Sequence, residues 1–321
     1  MLEKLNQITK KCSFRFVIFV LDTKSMPKTH VLVLSCLLLL AHTGNAQQDS
    51  LYRAIKTIAT AAKGKVCVSV IHIEDTIRFD YYGDEPCVMQ SVFKFPIAIA
   101  ILDRVDKGEF SLQHKIHITA KEMLKDTWSP LRDSFPEGNV NITFEKLLRY
   151  MVSQSDNIAC DVLLHHLGKP KIVEKYIRKF SIEDFAMKYN EAGMHKKWAN
   201  QYKNWCTPNE MTGLLQLFFK GKLISRVNTD FLYQLMTETS TGKNRLVKLL
   251  PEGTVVAHKT GSSDTNDKGM TAAVNDVGII TLPDGKHIAV AVFVNDAYAP
   301  YEVLENIIAE IGKVVYEIPL K

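Results

Sequence analysis

Three things are scarce in this 321-residue sequence, and each scarcity narrows the field. Cysteine is the first: there are six, of which only Cys67, Cys87, Cys160 and Cys206 lie beyond residue 46. Their spacing matches no zinc pattern, which needs close pairs of Cys or His. The one tight histidine pair, His165-His166, sits in a helix-like stretch, so neither a metal nor any other cofactor is expected. Charge of one sign is the second. The formal net charge is +5, but residues 1–46 hold six Lys and Arg against two Asp and Glu. The rest of the chain is close to neutral, which argues against a nucleic-acid partner. Long apolar runs are the third. VLVLSCLLLLA, residues 31–41, is short of the roughly 20 residues a spanning helix needs. The chain also has no internal repeat and no low-complexity segment.

What is present is an ordinary globular composition, 46% hydrophobic and 23% charged, long enough for one large domain or two moderate ones. The N-terminus reads as an export signal. From Met26 a basic MPKTH precedes the apolar run, and HTGNA supplies small residues at a cleavage site after Ala46. Residues 1–46 are therefore expected to be a leader, with Met26 as an alternative start. Cys36 is a competing lipid-attachment site, although four leucines follow it inside the apolar run. The mature protein is expected to be periplasmic or secreted, with no membrane span once the leader is cleaved, and monomeric. An exported protein could pair its four remaining cysteines, or keep them as buried thiols.

The pattern along the chain changes twice. Residues 50–63 carry Leu51, Ile55 and Ile58 at helical spacing, with Gly64 as the stop. KVCVSVIHIED and TIRFDYYGDE read as paired strands. From Gly108 short helices and loops take over. ITFEKLLRYMV is an amphipathic helix capped by Thr143, and DNIACDVLLHHLG and NEMTGLLQLFFKG end at glycines. After about residue 250 the strands return as TVVAHKTG, DVGIITL and HIAVAVFVND, the last two joined at Pro283-Asp284-Gly285. A final helix carries Ile307, Ile308, Ile311 and Val315. This order predicts an antiparallel sheet flanked by helices, built from residues 47–107 and 241–321, with an all-helical domain, residues 108–240, inserted between them.

The stretch QSVFKFPIAIAIL, residues 90–102, places Ser91 and Lys94 three apart ahead of an apolar helix. An amine one turn from a hydroxyl can take its proton and make it a nucleophile. S-x-x-K alone is weak, since it recurs at Ser25 and Ser240, and a capping serine explains Ser91 equally well. Two further triplets follow in order: Ser155-Asp156-Asn157 and Lys259-Thr260-Gly261. The three together are a known signature of class A β-lactamases and penicillin-binding proteins. On QSVFK, QSDN and HKTGS, the chain resembles a class A serine β-lactamase from about residue 50 to its end. The resemblance implies the two-domain α/β fold of serine β-lactamases and penicillin-binding proteins, and hydrolysis of small β-lactam substrates.

The implied roles fit the chemistry. Opening an amide ring needs a nucleophile, a proton donor for the leaving nitrogen, an oxyanion hole and a partner for the substrate carboxylate. Ser91 is the nucleophile and Lys94 its base or relay. Ser155 delivers the proton to nitrogen. Asn157 meets the substrate's amide side chain. Lys259 and Thr260 face its carboxylate, Gly261 lets the strand come close, and the backbone N–H groups of Ser91 and Ser262 form the oxyanion hole. Glu191 in NEAGMH is the expected deacylation base; either it or Lys94 could serve as the acylation base.

The loop around Glu191 departs from the commonest family pattern. His195 stands where an asparagine commonly holds the water. Tyr189 and Asn204 replace an Arg–Asp pair, so a different network is expected to hold the loop. NEAGMH followed by YKNW resembles the extended-spectrum, cephalosporinase-like branch, which implies a preference for cephalosporins and packing roles for Tyr202 and Trp205. Trp128 matches an aromatic at the site entrance, or is an ordinary buried tryptophan. Arg245 matches a carboxylate-binding guanidinium that is used when the neighbouring strand lacks one, as Val277 indicates here, or is a surface arginine. The competing functions are a cell-wall transpeptidase or carboxypeptidase, against which a placed Glu191 argues, and a β-lactam-sensing module that stays acylated, which would normally sit behind membrane spans and against which a cleavable leader with no later span argues.

Overall fold

The computed structural model describes residues 47–318. The expected leader, Cys36 and Met26 lie outside these residues. Among the described residues no helix is long and apolar enough to cross a membrane.

Helix α1 covers residues 47–59 and runs on through a 3-10 turn, Thr60–Ala62. Lys63 in the left-handed region (φ 48°) turns the chain, and Gly64 packs where a Cβ would sit 2.5 Å from the Ala297 Cα. The sheet has five strands in the order β2-β1-β10-β9-β8, antiparallel at every pairing. These are β1 (Lys65–His72), β2 (Arg78–Tyr81), β8 (Val256–Ser262), β9 (Thr271–Thr281) and β10 (His287–Ala297). N- and C-terminal segments thus share one sheet, as the strand patterns predict. The β9–β10 turn falls at Pro283-Asp284-Gly285, with Gly285 at φ 81°.

Both faces of the central strands are buried, which accounts for their near-continuous apolar runs. One face carries Val68, Val70, Val290, Val292 and Val294, packed with Leu51, Ile55, Leu304, Ile307 and Ile311. These come from α1 and from α10 (Tyr301–Glu317). The opposite face adds Ile71, Val277, Ile279, Ala289 and Phe293 to the large core of the helical layer.

That layer centres on α2 (Lys94–Asp106), whose residues Lys94 to Leu102 are all buried. Around it pack α4 (Phe144–Ser153), α5 (Asn157–Leu167), α6 (Pro170–Arg178) and α9 (Arg226–Thr237). Thr143 caps α4 as expected, accepting from the Lys146 N–H. Helix α8 (Pro208–Phe219) rests on β1 and β10, with Ser69 and Thr212 hydroxyls 2.8 Å apart, although its sequence position falls within the helical insertion. All four cysteines among the described residues are free and buried.

A polar strut ties the sheet to the segment leading into Ser91. Asn275 on β9 and Asn295 on β10 are fully buried, and the Asn295 Nδ2 donates to the Asn275 Oδ1 (3.1 Å). The Asn295 Oδ1 accepts from the Val88 N–H (2.7 Å), and the Asn275 Nδ2 donates to the carbonyls of Val88 (2.8 Å) and Met89 (3.1 Å). Val88 belongs to β3 (Cys87–Val88), which with β6 (Phe185–Ala186) and β7 (Trp205–Cys206) makes a small second sheet.

Candidate active site

Ser91 lies in a 3-10 turn, Gln90–Phe93, directly ahead of α2. Pro96 falls at the third residue of α2, inside the first turn, where its missing N–H costs no helical hydrogen bond. The Ser91 hydroxyl caps no helix, which removes the capping reading. Gln90 holds a left-handed backbone (φ 47°), and so does Ser155 (φ 58°). Strained residues of this kind persist where the surroundings over-determine them.

Lys94 is the hub. Its Nζ is wholly buried and meets four oxygens within 3 Å: the Ser91 Oγ (2.9 Å), the Ser155 carbonyl (2.8 Å), the Asn157 Oδ1 (2.6 Å) and the Glu191 Oε1 (2.7 Å). An ammonium has three hydrogens, so four acceptors compete for them. A proton can therefore pass between Ser91 and Glu191 through this amine. The direct route, from the Ser91 Oγ to the Glu191 Oε1, spans 3.4 Å. On the far side the Ser155 Oγ accepts from the Lys259 Nζ at 2.8 Å and lies 3.5 Å from the Lys94 Nζ. Burial holds the Lys259 amine well below the usual lysine range; the Lys94 charge pushes the same way, and Glu191 and Asp276 oppose it.

Asp156, between Ser155 and Asn157, is committed to backbone and helix-end bonds. Its Oδ1 caps α5 through the Ala159 N–H, and its Oδ2 accepts from the Ser129 hydroxyl and the Leu131 N–H. The helix cap is thus made by Asp156, which leaves the Ser155 and Asn157 side chains on the cavity. A Cβ on Gly261 would sit 2.4 Å from the Met89 carbonyl, so the glycine lets β8 close on the turn that carries Ser91.

Glu191 is buried and opens α7 (Glu191–His195). Two devices hold its loop. Asp161, on α5, accepts from the Glu191 N–H (2.8 Å), the Ala192 N–H (3.0 Å) and the Asn190 Nδ2 (2.8 Å). Burial raises the Asp161 carboxyl to about 6, helped by the Glu191 charge and resisted by the Ala192 and Glu191 N–H donors. Asn204 accepts from the Lys188 and Tyr189 N–H groups and donates to the Tyr189 carbonyl, while its own carbonyl accepts from the Met89 N–H. A neutral amide and a helix-borne carboxylate thus do the work of the absent Arg–Asp pair. Tyr202 does more than pack: its hydroxyl bonds the Asp296 carboxylate at 2.5 Å.

These groups surround a cavity of about 820 Å³. Ser91, Ser155, Asn157, Glu191, His195, Thr260 and Ser262 line it, whereas Lys94, Lys259 and Gly261 lie behind the wall. Lys259 therefore reaches a ligand as charge, and through Ser155. Trp128 is 61% exposed on the rim and is pinned by its Nε1 to the Gln154 carbonyl, which excludes the buried-tryptophan reading. His195 is exposed on the cavity wall, at the end of α7. Arg245 is only 3% exposed and lines the wall, so it is not a surface residue. Among the described residues no Cys, His, Asp and Glu cluster could hold a metal ion.

The model of the β-lactamase enzyme family matches residues 50–318. The chain is 42% identical to β-lactamase VEB-1 of Pseudomonas aeruginosa, covering 90% of this chain and 97% of that one. Among solved structures, the extended-spectrum β-lactamase TLA-1 is 46% identical with a TM-score of 0.83, covering 85% of this chain and 99% of that one. A class A β-lactamase from Bacteroides cellulosilyticus is 35% identical with a TM-score of 0.81, covering 85% and 98%. The two-domain architecture, the three motifs on one cavity and these matches lead to one conclusion: the chain belongs to the β-lactamase enzyme family, among its class A members.

Proposed function

We propose that the protein hydrolyses β-lactam antibiotics in two steps through an acyl group on Ser91. The observation that carries this reading is the Lys94 amine, placed between the Ser91 hydroxyl and the Glu191 carboxylate. In the first step the Ser91 Oγ attacks the lactam carbonyl carbon and its proton passes to Lys94 or Glu191. The oxyanion forms against the backbone N–H groups of Ser91 and Ser262. The C–N bond then breaks, and the nitrogen takes a proton from the Ser155 hydroxyl, which the Lys94 and Lys259 amines resupply. In the second step Glu191 takes a proton from a water as that water attacks the ester, and Ser91 leaves with a proton restored. Asn157 and Trp128 receive the acylamino side chain, Thr260 with Lys259 behind it receives the carboxylate, and His195 borders the water's approach.

A preference for cephalosporins follows from the likeness of the Glu191 loop to the extended-spectrum branch. Export to the periplasm or beyond, a monomeric state, and the division into residues 47–107 with 241–321 and an inserted 108–240 complete the reading. Purified protein mixed with the chromogenic cephalosporin nitrocefin should turn over many equivalents. A single stoichiometric burst would instead indicate a transpeptidase or a sensor, both of which acylate without an efficient second step.

A further inference from the structure

Arg245 has no hydrogen to spare. A guanidinium carries five N–H donors and no acceptor, and here all five are committed. The Nε donates to the Glu305 Oε1 (3.1 Å), and the Nη1 to the carbonyls of Gly261 (3.1 Å) and Asn275 (2.9 Å). The Nη2 donates to the Ser262 Oγ (2.7 Å) and to the Tyr301 hydroxyl (2.9 Å). A substrate carboxylate could reach this guanidinium only by displacing one of those partners.

The two hydroxyls on Nη2 suggest another route. Each receives a hydrogen from the guanidinium, so neither can point its own hydrogen back at it. Both residues line the cavity, and Tyr301 is 37% exposed. Thr260 and Thr241, with hydroxyls 2.6 Å apart, line the same wall. We propose that Tyr301, the first residue of α10, binds the substrate carboxylate through its phenolic hydrogen, and that Arg245 acts on that carboxylate through the Tyr301 and Ser262 hydroxyls. The Arg245 charge makes both hydroxyls better donors and fixes which way they face. Glu305 holds the far side of the guanidinium and keeps it from swinging into the cavity. Tyr301 is thus a specificity-determining residue for anionic substrates and Arg245 a positioning residue. This rests on the reading of the cavity as a β-lactam site.

The direct and the relayed arrangements predict opposite results for Tyr301→Phe. The ring stays, with the Arg245 Cζ 6.0 Å from its centre, and four hydrogen bonds still hold the guanidinium. If Arg245 binds the carboxylate directly, the change frees one Nη2 hydrogen and KM falls or stays level. If Tyr301 binds it, one bond to a charged group is lost. KM for a penicillin should then rise about tenfold, with kcat within about threefold. The same penicillin with its carboxylate esterified should show no difference between wild type and Tyr301→Phe. In an Arg245→Ala background Tyr301→Phe should add much less than tenfold, because the hydroxyl has already lost its orienting partner. A KM that is unchanged or lower, or an equal rise for the ester, overturns the assignment of Tyr301. Wild-type protein that turns over neither substrate overturns both this assignment and the reading it rests on.

Discussion

The floor and the rim of the cavity are built on different terms. The floor residues Ser91, Lys94, Ser155 and Lys259 sit on or beside α2, α5 and β8, and both amines are fully buried. Their partners are fixed by covalent spacing within short motifs and by strand register. The rim residues Trp128, His195, Ser262 and Asp264 are exposed and sit on loops or element ends. The difference teaches where chemistry and selectivity are stored: the floor's geometry is over-determined by the core, while the rim can vary without disturbing it. Glu191 belongs to both regions, a buried floor residue carried on a loop.

The largest expected effect is at the centre of the floor. Ser91→Ala should lower kcat/KM by about 10⁴-fold or more while thermal unfolding stays near wild type, because removing a nucleophile leaves only binding and oxyanion stabilisation. Near wild-type turnover would take Ser91 out of the mechanism. Glu191→Gln should slow deacylation by about 10²–10⁴-fold, the usual cost of losing a general base. Mass spectrometry should then find the protein heavier by one β-lactam; normal turnover with no adduct would place the water's base elsewhere. His195→Ala added to that variant should slow deacylation further if the imidazole stands in as base, and change nothing if it only lines the wall.

Two smaller effects probe how the floor is supported. Gly261→Ala puts a methyl 2.4 Å from the Met89 carbonyl, a backbone atom that cannot turn aside. It should destabilise by about 1–3 kcal/mol and lower kcat as the nucleophile's turn shifts; an unchanged Tm would mean that the close approach is not needed. Asp161 should give a pH signature. Its carboxyl is raised from 3.8 to about 6 in the folded state, so the folded protein holds that proton more tightly than the unfolded chain. Stability from this group is full below pH 3.8 and is lost as pH rises through 6. Urea midpoints of wild type relative to Asp161→Asn should therefore fall across that window. A flat difference would contradict a raised carboxyl at Asp161.

What could be read from the sequence follows the same division. The chemistry-bearing triplets were legible because each is local, and the strands β1, β8, β9 and β10 because their β-branched runs are long. The replacement of the Arg–Asp pair was visible as an absence at Tyr189 and Asn204, but the substitute was not. Asp161 reads as one polar residue in the mostly apolar helix α5, and only the folded chain brings it under the Glu191 N–H. The two-residue strands β3, β6 and β7 are too short for any periodicity. Tyr301 reads as an ordinary first-turn residue of the last helix, and nothing nearby in sequence hints that Arg245 is its partner. Arg245 itself looked as much like surface as site, since burial of its charge depends on five partners that lie 16 to 60 residues further along the chain.

The asparagine strut bears on the order in which the enzyme comes into being. Ser91 belongs to the first third of the chain, yet the turn that presents it hangs from Asn275 and Asn295, near the other end. A nascent chain that has emerged only as far as residue 270 already carries Ser91, Lys94, Ser155, Glu191 and Lys259, and the Asn204 carbonyl that accepts from the Met89 N–H, but it lacks both asparagines of the strut. The support of that turn is complete only when β9 and β10 are paired beside β1, so the two ends of the chain meet under Ser91.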